Sequence, residues 1–139
     1  MNKEELKAII PHRNSMLLID DATKISEDTS VGKKTIVGDE WFLDGHFPGN
    51  PIVPGVILCE MMAQTSAVII AEKSAVSTPY FTSIEKARFK EMVRPGDTFE
   101  IECKLTKNRG MFYFIEGKGT VNGKLCVSAN FSFALIERE

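Results

Sequence analysis

The sequence predicts an α+β fold in which one long buried helix lies against a curved antiparallel sheet. Three observations carry that expectation. The chain has 139 residues, 43% hydrophobic and 26% charged, the size and balance of one globular domain spanning residues 1–139. Residues 54–73 are apolar nearly all round, with no Gly or Pro after Gly55. After Pro79 the hydrophobic period changes to two, the mark of half-buried antiparallel strands. A helix apolar on every side needs a sheet that curves around it.

Taken in order, residues 2–10 suit a short helix with Leu6, Ile9 and Ile10 on its apolar side. Met16-Leu17-Leu18-Ile19 reads as a strand and residues 30–37 as a second. Residues 41–54 are loop by their Gly and Pro content. Pro54 suits the first helical position, where its missing N–H is not needed. The helix from there to about residue 73 is a rod of roughly 28 Å. Phe99, Ile101, Cys103 and Leu105 alternate with polar residues, as do Leu125, Val127, Ala129, Phe131, Phe133 and Leu135. Between them, residues 111–115 are apolar on both faces and need cover on both sides, one of which a second subunit could supply. Pro95-Gly96, Asn108-Arg109-Gly110 and Asn122-Gly123 read as turns. The predicted order is two strands, the helix, then four strands as a meander.

A net charge of −2 implies neither nucleic acid nor an anionic membrane. Glu60, Gln64, Glu72 and Lys73 interrupt the apolar run too early for a span of about 20 residues, so a buried helix is expected, not a membrane one. The N-terminal residues carry acids and no apolar stretch of signal-peptide length. Cys59, Cys103 and Cys126 are far apart and odd in number, which fits a reducing, cytoplasmic setting. Two histidines and these cysteines make no zinc spacing, and no nucleotide-binding glycine motif is present, so no metal or cofactor is expected. Cys59, in an apolar helix beside an acid, reads as a packed core thiol and not a nucleophile.

The residue that stands out is Glu60. A carboxylate on a buried helix must be paired, hydrogen-bonded or protonated. Gln64, four residues on, shares its face and can hold it. Spacing alone equally allows a solvated, idle glutamate at the helix edge, and His46 taken alone favours a turn histidine without a role. Together they place a potential base and a potential acid on either side of one helix N-terminus, where free N–H groups and a positive dipole end await a ligand.

The run His46-Phe47-Pro48-Gly49-x-Pro51-x-x-Pro54-Gly55-Val56-x-x-x-Glu60-x-x-Ala63-Gln64 resembles the signature of the (3R)-hydroxyacyl-acyl-carrier-protein dehydratases of bacterial type II fatty acid synthesis, and within them the FabZ branch. Ile10-Pro11-His12-Arg13, Leu17-Leu18-Ile19-Asp20, Ile84-Glu85-Lys86-Ala87-Arg88-Phe89 and Arg94-Pro95-Gly96-Asp97 extend the similarity over nearly the whole chain. The resemblance implies the hot-dog fold. It also implies a homodimer whose active sites combine His46 of one subunit with Glu60 of the other, assembled as a hexamer of three dimers. In that pattern Gln64 orients the glutamate. The reaction needs a base at C2, suited to a neutral His46, and an acid at C3, suited to a glutamic acid whose pKa burial raises. The backbone N–H of Gly55 or Val56 is placed to bond the thioester oxygen, and Gly55 has no side chain to block it. Acyl carrier protein, the expected partner, is acidic; Lys86, Arg88, Lys90 and Arg94 are candidate docking residues, the first three alternating on one strand face. A solvated strand face explains them equally well.

Asn14-Ser15-Met16 and Met61 depart from the family's usual residues where an acyl chain would run, which leaves chain length open, along with the pathway and any double-bond isomerisation. Two rival readings are a hot-dog acyl thioesterase, which needs an acid or acid–amide pair to activate water, and a non-catalytic acyl-ligand-binding protein. The histidine–glutamate pair favours elimination over both.

Overall fold

The computed structural model describes residues 1–43, 49 and 51–137. The chain opens with α1 (Lys3–Leu6), whose N-terminus is closed by a reciprocal cap: Asn2 Oδ1 accepts from the Glu5 N–H at 3.0 Å, and Glu5 Oε1 accepts from the Asn2 N–H at 3.3 Å. A 3₁₀ turn, Asn14–Met16, precedes β1 (Asp21–Lys24) and β2 (Thr29–Thr35). A second 3₁₀ turn, Trp41–Leu43, leads towards α2 (Gly55–Ser66). The helix continues as a 3₁₀ turn, Ala67–Ile70, and ends in α3 (Ala71–Ser74). Then follow β3 (Ser77–Phe89), β4 (Thr98–Arg109), β5 (Phe112–Val121) and β6 (Lys124–Glu137).

The six strands form one antiparallel sheet in the order β1-β2-β4-β5-β6-β3, with α2 packed against its concave core face. The α+β expectation holds, and three details change. The four-strand meander is a three-strand one, β4-β5-β6; β3 runs along β6 at the far edge. The residues 16–19 are not a strand. Leu17, Leu18 and Ile19 are buried, but the Leu18 N–H donates to Gln64 Oε1 and the Met16 carbonyl accepts from Gln64 Nε2, so a side chain stands where a strand partner was expected. Third, the rod is broken. Pro54 is the N-cap, with ψ of 139°, and the α-helix gives way after Ser66. There Thr65 Oγ1 donates to the Met61 carbonyl and Ser66 Oγ to the Ala63 carbonyl, the back-bonding that bends helices. From the sheet, Ser30 Oγ takes the Thr65 carbonyl and Cys103 Sγ that of Met62.

Contrary to the expectation that its polar residues interrupt it too early, Gly55–Lys73 is long and apolar enough to cross a membrane, yet 56% of its apolar window is buried inside the fold. It is a core helix in this sheet. The turns follow the expected chemistry: Asn122 and Gly123 both have positive φ, as does Gly96. The β4–β5 turn is one residue tighter than predicted, since Arg109 pairs with Phe112 across Gly110-Met111.

Close packing within the sheet and against the helix is set by small residues. A Cβ on Gly32 would lie 2.7 Å from Thr65 Oγ1, and one on Gly119 would run into the ring of Phe99, which is itself fully buried. Gly119→Ala is therefore expected to destabilise by about 1–3 kcal/mol through overpacking. Thermal melts should show a Tm several degrees lower; an unchanged Tm would mean that the ring moves aside freely.

Candidate active site

Glu60 sits on the second turn of α2, with its side chain 21% exposed at the edge of a cleft. Ile10, Ala63, Phe81 and Phe133 form the apolar walls, and Gln64 and His12 supply the polar ones. Gln64 is 1% exposed and every polar atom of its amide is engaged. Its Oε1 accepts from the Leu18 N–H at 3.0 Å, and its Nε2 donates to the Met16 carbonyl at 2.8 Å and to Glu60 Oε1 at 3.3 Å. The amide cannot be turned round, because a carbonyl oxygen would then face the Met16 carbonyl. Gln64 is thus held as a donor towards Glu60, the i, i+4 pairing expected from spacing.

The second group at this carboxyl is His12, whose Nε2 lies 3.0 Å from Glu60 Oε1. Sequence reasoning quoted His12 within the Pro-His-Arg segment and gave it no role. Its position 48 residues before Glu60 left no local signal; only the fold joins them. Arg13 fixes that segment by donating from Nη1 to the Ile10 and His12 carbonyls and from Nη2 to the Lys7 carbonyl, at 2.7–2.8 Å.

Gly55 and Val56 line a different depression, at the start of α2, with Phe89, Lys90 and Met92. The first helical bonds are donated by Ile57 and Leu58 to the Pro54 carbonyl, and among the described residues no acceptor meets the N–H groups of Gly55 and Val56. Gly55 is glycine for a reason the sequence did not reveal: a Cβ there would lie 2.7 Å from the Phe89 ring. His46 lies outside the described residues.

Of the four basic residues, Lys86 and Arg88 share one depression with Lys104 and Lys118. Simple alternation does not put them there, because the ladder is irregular between Glu85 and Arg88 and Lys86 has a φ of 51°. Lys90 does not share their face; it lies past the end of β3 and lines the depression of Gly55 and Val56. The Arg94 N–H donates to Asp97 Oδ2 within the turn before β4. Cys59 is buried, and burial followed by the neighbouring Glu60 charge pushes its thiol up, which suits a packing role.

A long helix cradled by a six-stranded antiparallel sheet, with a carboxyl held over an apolar cleft, defines a hot-dog protein. Solved structures share that fold. The dehydratase heterocomplex ApeI:P from Xenorhabdus doucetiae matches with a TM-score of 0.83 at 18% identity, over 96% of this chain and 91% of that one. A hypothetical thioesterase with coenzyme A from Streptococcus pneumoniae TIGR4 matches with 0.64 at 14% identity, over 86% and 87%. The FabA-like domain profile matches residues 10–130. The 3-hydroxyacyl-[acyl-carrier-protein] dehydratase FabZ of Clostridium perfringens is 40% identical over 137 residues, which cover 97% of this chain and 99% of that one. The FabZ of Bacillus velezensis is 38% identical over 140 residues, 99% of each. The chain belongs to the FabZ family of FabA-like dehydratases.

Proposed function

We infer that this chain is a (3R)-3-hydroxyacyl-acyl-carrier-protein dehydratase, a hydro-lyase that eliminates water to give the trans-2-enoyl thioester. One observation carries the reading: a carboxyl at position 60, held by a fully engaged Gln64 over an apolar cleft, in a chain 40% identical to a FabZ along nearly its whole length. In the reaction His46 takes the C2 proton, and the C–H electrons form the C2–C3 double bond. The C3–O bond breaks as Glu60 gives its proton to the departing hydroxyl, which leaves as water. Afterwards the histidine loses its proton and the glutamate regains one. The N–H groups of Gly55 and Val56 serve the thioester oxygen as charge develops on it.

The helix rises about 6–7.5 Å between these donors and Glu60, which separates them along one chain. The cleft at Glu60 has a volume of about 30 Å³, far below that of an ordinary ligand site. Both facts support a site completed by a second copy, with His46 from one subunit and Glu60 from the other. The edge strand β3 supports it further, since it exposes Tyr80, Phe81, Ile84 and Phe89. A hexamer of three such dimers is the assembly we propose. Acyl carrier protein would dock near Lys90 and Arg94 at the mouth of this site, with Lys86 and Arg88 beyond. Glu102 and Glu116 interrupt the latter patch, and Glu102 pairs with Lys118 at 3.2 Å, which weakens it. A cytoplasmic setting accords with three free, buried cysteines.

The test is a mixing experiment. Wild type is expected to interconvert 3-hydroxybutyryl- and crotonyl-acyl carrier protein, followed by enoyl absorbance, while His46→Ala and Glu60→Gln each fail. Mixed and reassembled, the two variants should recover up to about a quarter of wild-type activity, because random pairing leaves one intact site in half of the dimers. No recovery would place both groups in one subunit. Release of free acid and carrier thiol would make the protein a thioesterase.

A further inference from the structure

Glu60 has a second neighbour that the reaction as written does not use. His12 Nε2 and Gln64 Nε2 both approach the same oxygen, Oε1, at 3.0 and 3.3 Å. Among the described residues no hydrogen bond reaches Oε2. The two carboxyl oxygens are therefore inequivalent. From this we propose that His12 is a positioning residue for Glu60: with Gln64 it holds Oε1 as the acceptor oxygen, which leaves Oε2 as the oxygen that carries the transferred proton into the cleft. The inference rests on the dehydratase reading for its chemistry and on geometry alone for its placement.

Three features support positioning over proton relay. His12 Nδ1 is buried and has no hydrogen-bond partner among the described residues. A relay takes a proton at one ring nitrogen and releases it at the other, and here the second nitrogen leads nowhere. The geometry fits the tautomer with its proton on Nε2, since Nε2 meets Glu60 Oε1 at 3.0 Å while Nδ1 meets no polar group among the described residues. That tautomer faces Glu60 with its N–H. Finally, the ring is not free to wander. Arg13 grips the His12 carbonyl and those of Ile10 and Lys7, and Gln64 binds the same N-terminal segment at Met16 and Leu18. The segment before β1 is thus braced within itself by Arg13 and tied to α2 by Gln64, one turn from Glu60.

The order of events at the carboxyl follows. A protonated Glu60 presents Oε1 as a carbonyl to two N–H donors and Oε2–H to the hydroxyl of the substrate. When that proton leaves with water, the carboxylate already has its charge met by the same donors. No atom has to move.

His12→Leu and His12→Gln separate the possibilities. Leucine fills the space without a donor, and glutamine places an amide nitrogen at the reach of Nε2 but cannot relay a proton. In the assembled enzyme, His12→Leu is expected to lower kcat about tenfold with KM within twofold, and His12→Gln to recover most of the loss. Crystal structures of both variants give a readout independent of turnover. The Glu60 carboxyl should leave its position beside Gln64 in His12→Leu and keep it in His12→Gln. Equal loss in both variants with the carboxyl in place would make His12 a relay and overturn positioning. Unchanged kcat and an unmoved carboxyl in His12→Leu would also overturn it. If wild type converts no hydroxyacyl-acyl carrier protein while the carboxyl still shifts in His12→Leu only, the dehydratase reading falls and the positioning role stands.

Discussion

Glu60→Gln is expected to lower kcat for dehydration by about 10²–10⁴-fold while KM changes little, the range over which a positioned general acid contributes. The substitution is close to isosteric. A carboxamide at position 60 can keep its oxygen towards Gln64 Nε2, so the 3.3 Å contact and the packing of α2 survive. What disappears is the proton destined for the leaving hydroxyl. The loss should fall on kcat and kcat/KM together, because the interaction exists only in the transition state. Stability should be nearly unchanged, since the substitution is close to isosteric and keeps the contact to Gln64. Glu60→Asp tests distance separately: one methylene shorter, it retains a proton and withdraws it from the cleft. A Glu60→Gln enzyme within tenfold of wild type would remove Glu60 from the acid role.

Gln64→Leu is expected to be the most damaging single change to the fold near the site. Gln64 is 1% exposed and bridges three partners, the Leu18 N–H, the Met16 carbonyl and Glu60 Oε1, of which only the last has a second neighbour, His12. Leucine matches its volume, so cavity formation contributes little. The damage comes from desolvated groups left unmet, at about 1–3 kcal/mol each. Leu18 is buried and bears the full penalty, and the other two are partly exposed and bear less. A total of roughly 2–5 kcal/mol follows. Denaturant unfolding should show a lower midpoint with an unchanged m value. The activity of the surviving folded protein should drop as well, because Glu60 loses its directional donor. A loss under about 1 kcal/mol would mean that water or a shifted backbone replaces the amide.

The two predictions meet in the segment that sequence reading handled worst. Met16-Leu17-Leu18-Ile19 has the composition of a strand, and its last three residues are buried. Its hydrogen bonding was not legible, because the partner is a side chain 46 residues away, and no local pattern records that. The helix was legible from Pro54 onward by its all-round apolarity. Its break at Ser66 was not, because it depends on the Thr65 and Ser66 hydroxyls turning back on the helix and on Ser30 and Cys103 bonding from the sheet. The meander was legible only as far as its hairpins, since turn residues specify adjacent strands. Nothing in β3 itself states that it pairs with β6.

At the site, the Glu60–Gln64 pair could be read directly, since an i, i+4 spacing on a helix has one geometry. The placement of Glu60 in a dehydratase motif could be read as well. The sequence by itself determined the helix and its carboxyl, the alternating strands, the hairpin turns and the family. All of these are written in residues near one another along the chain, where propensity and periodicity act. The tertiary structure alone decided that β3 closes the far edge of the sheet, that Phe89 demands a glycine at position 55, and that His12 stands beside Glu60. Each joins residues between 34 and 60 positions apart, and such contacts are chosen by the packing of the whole core around one helix.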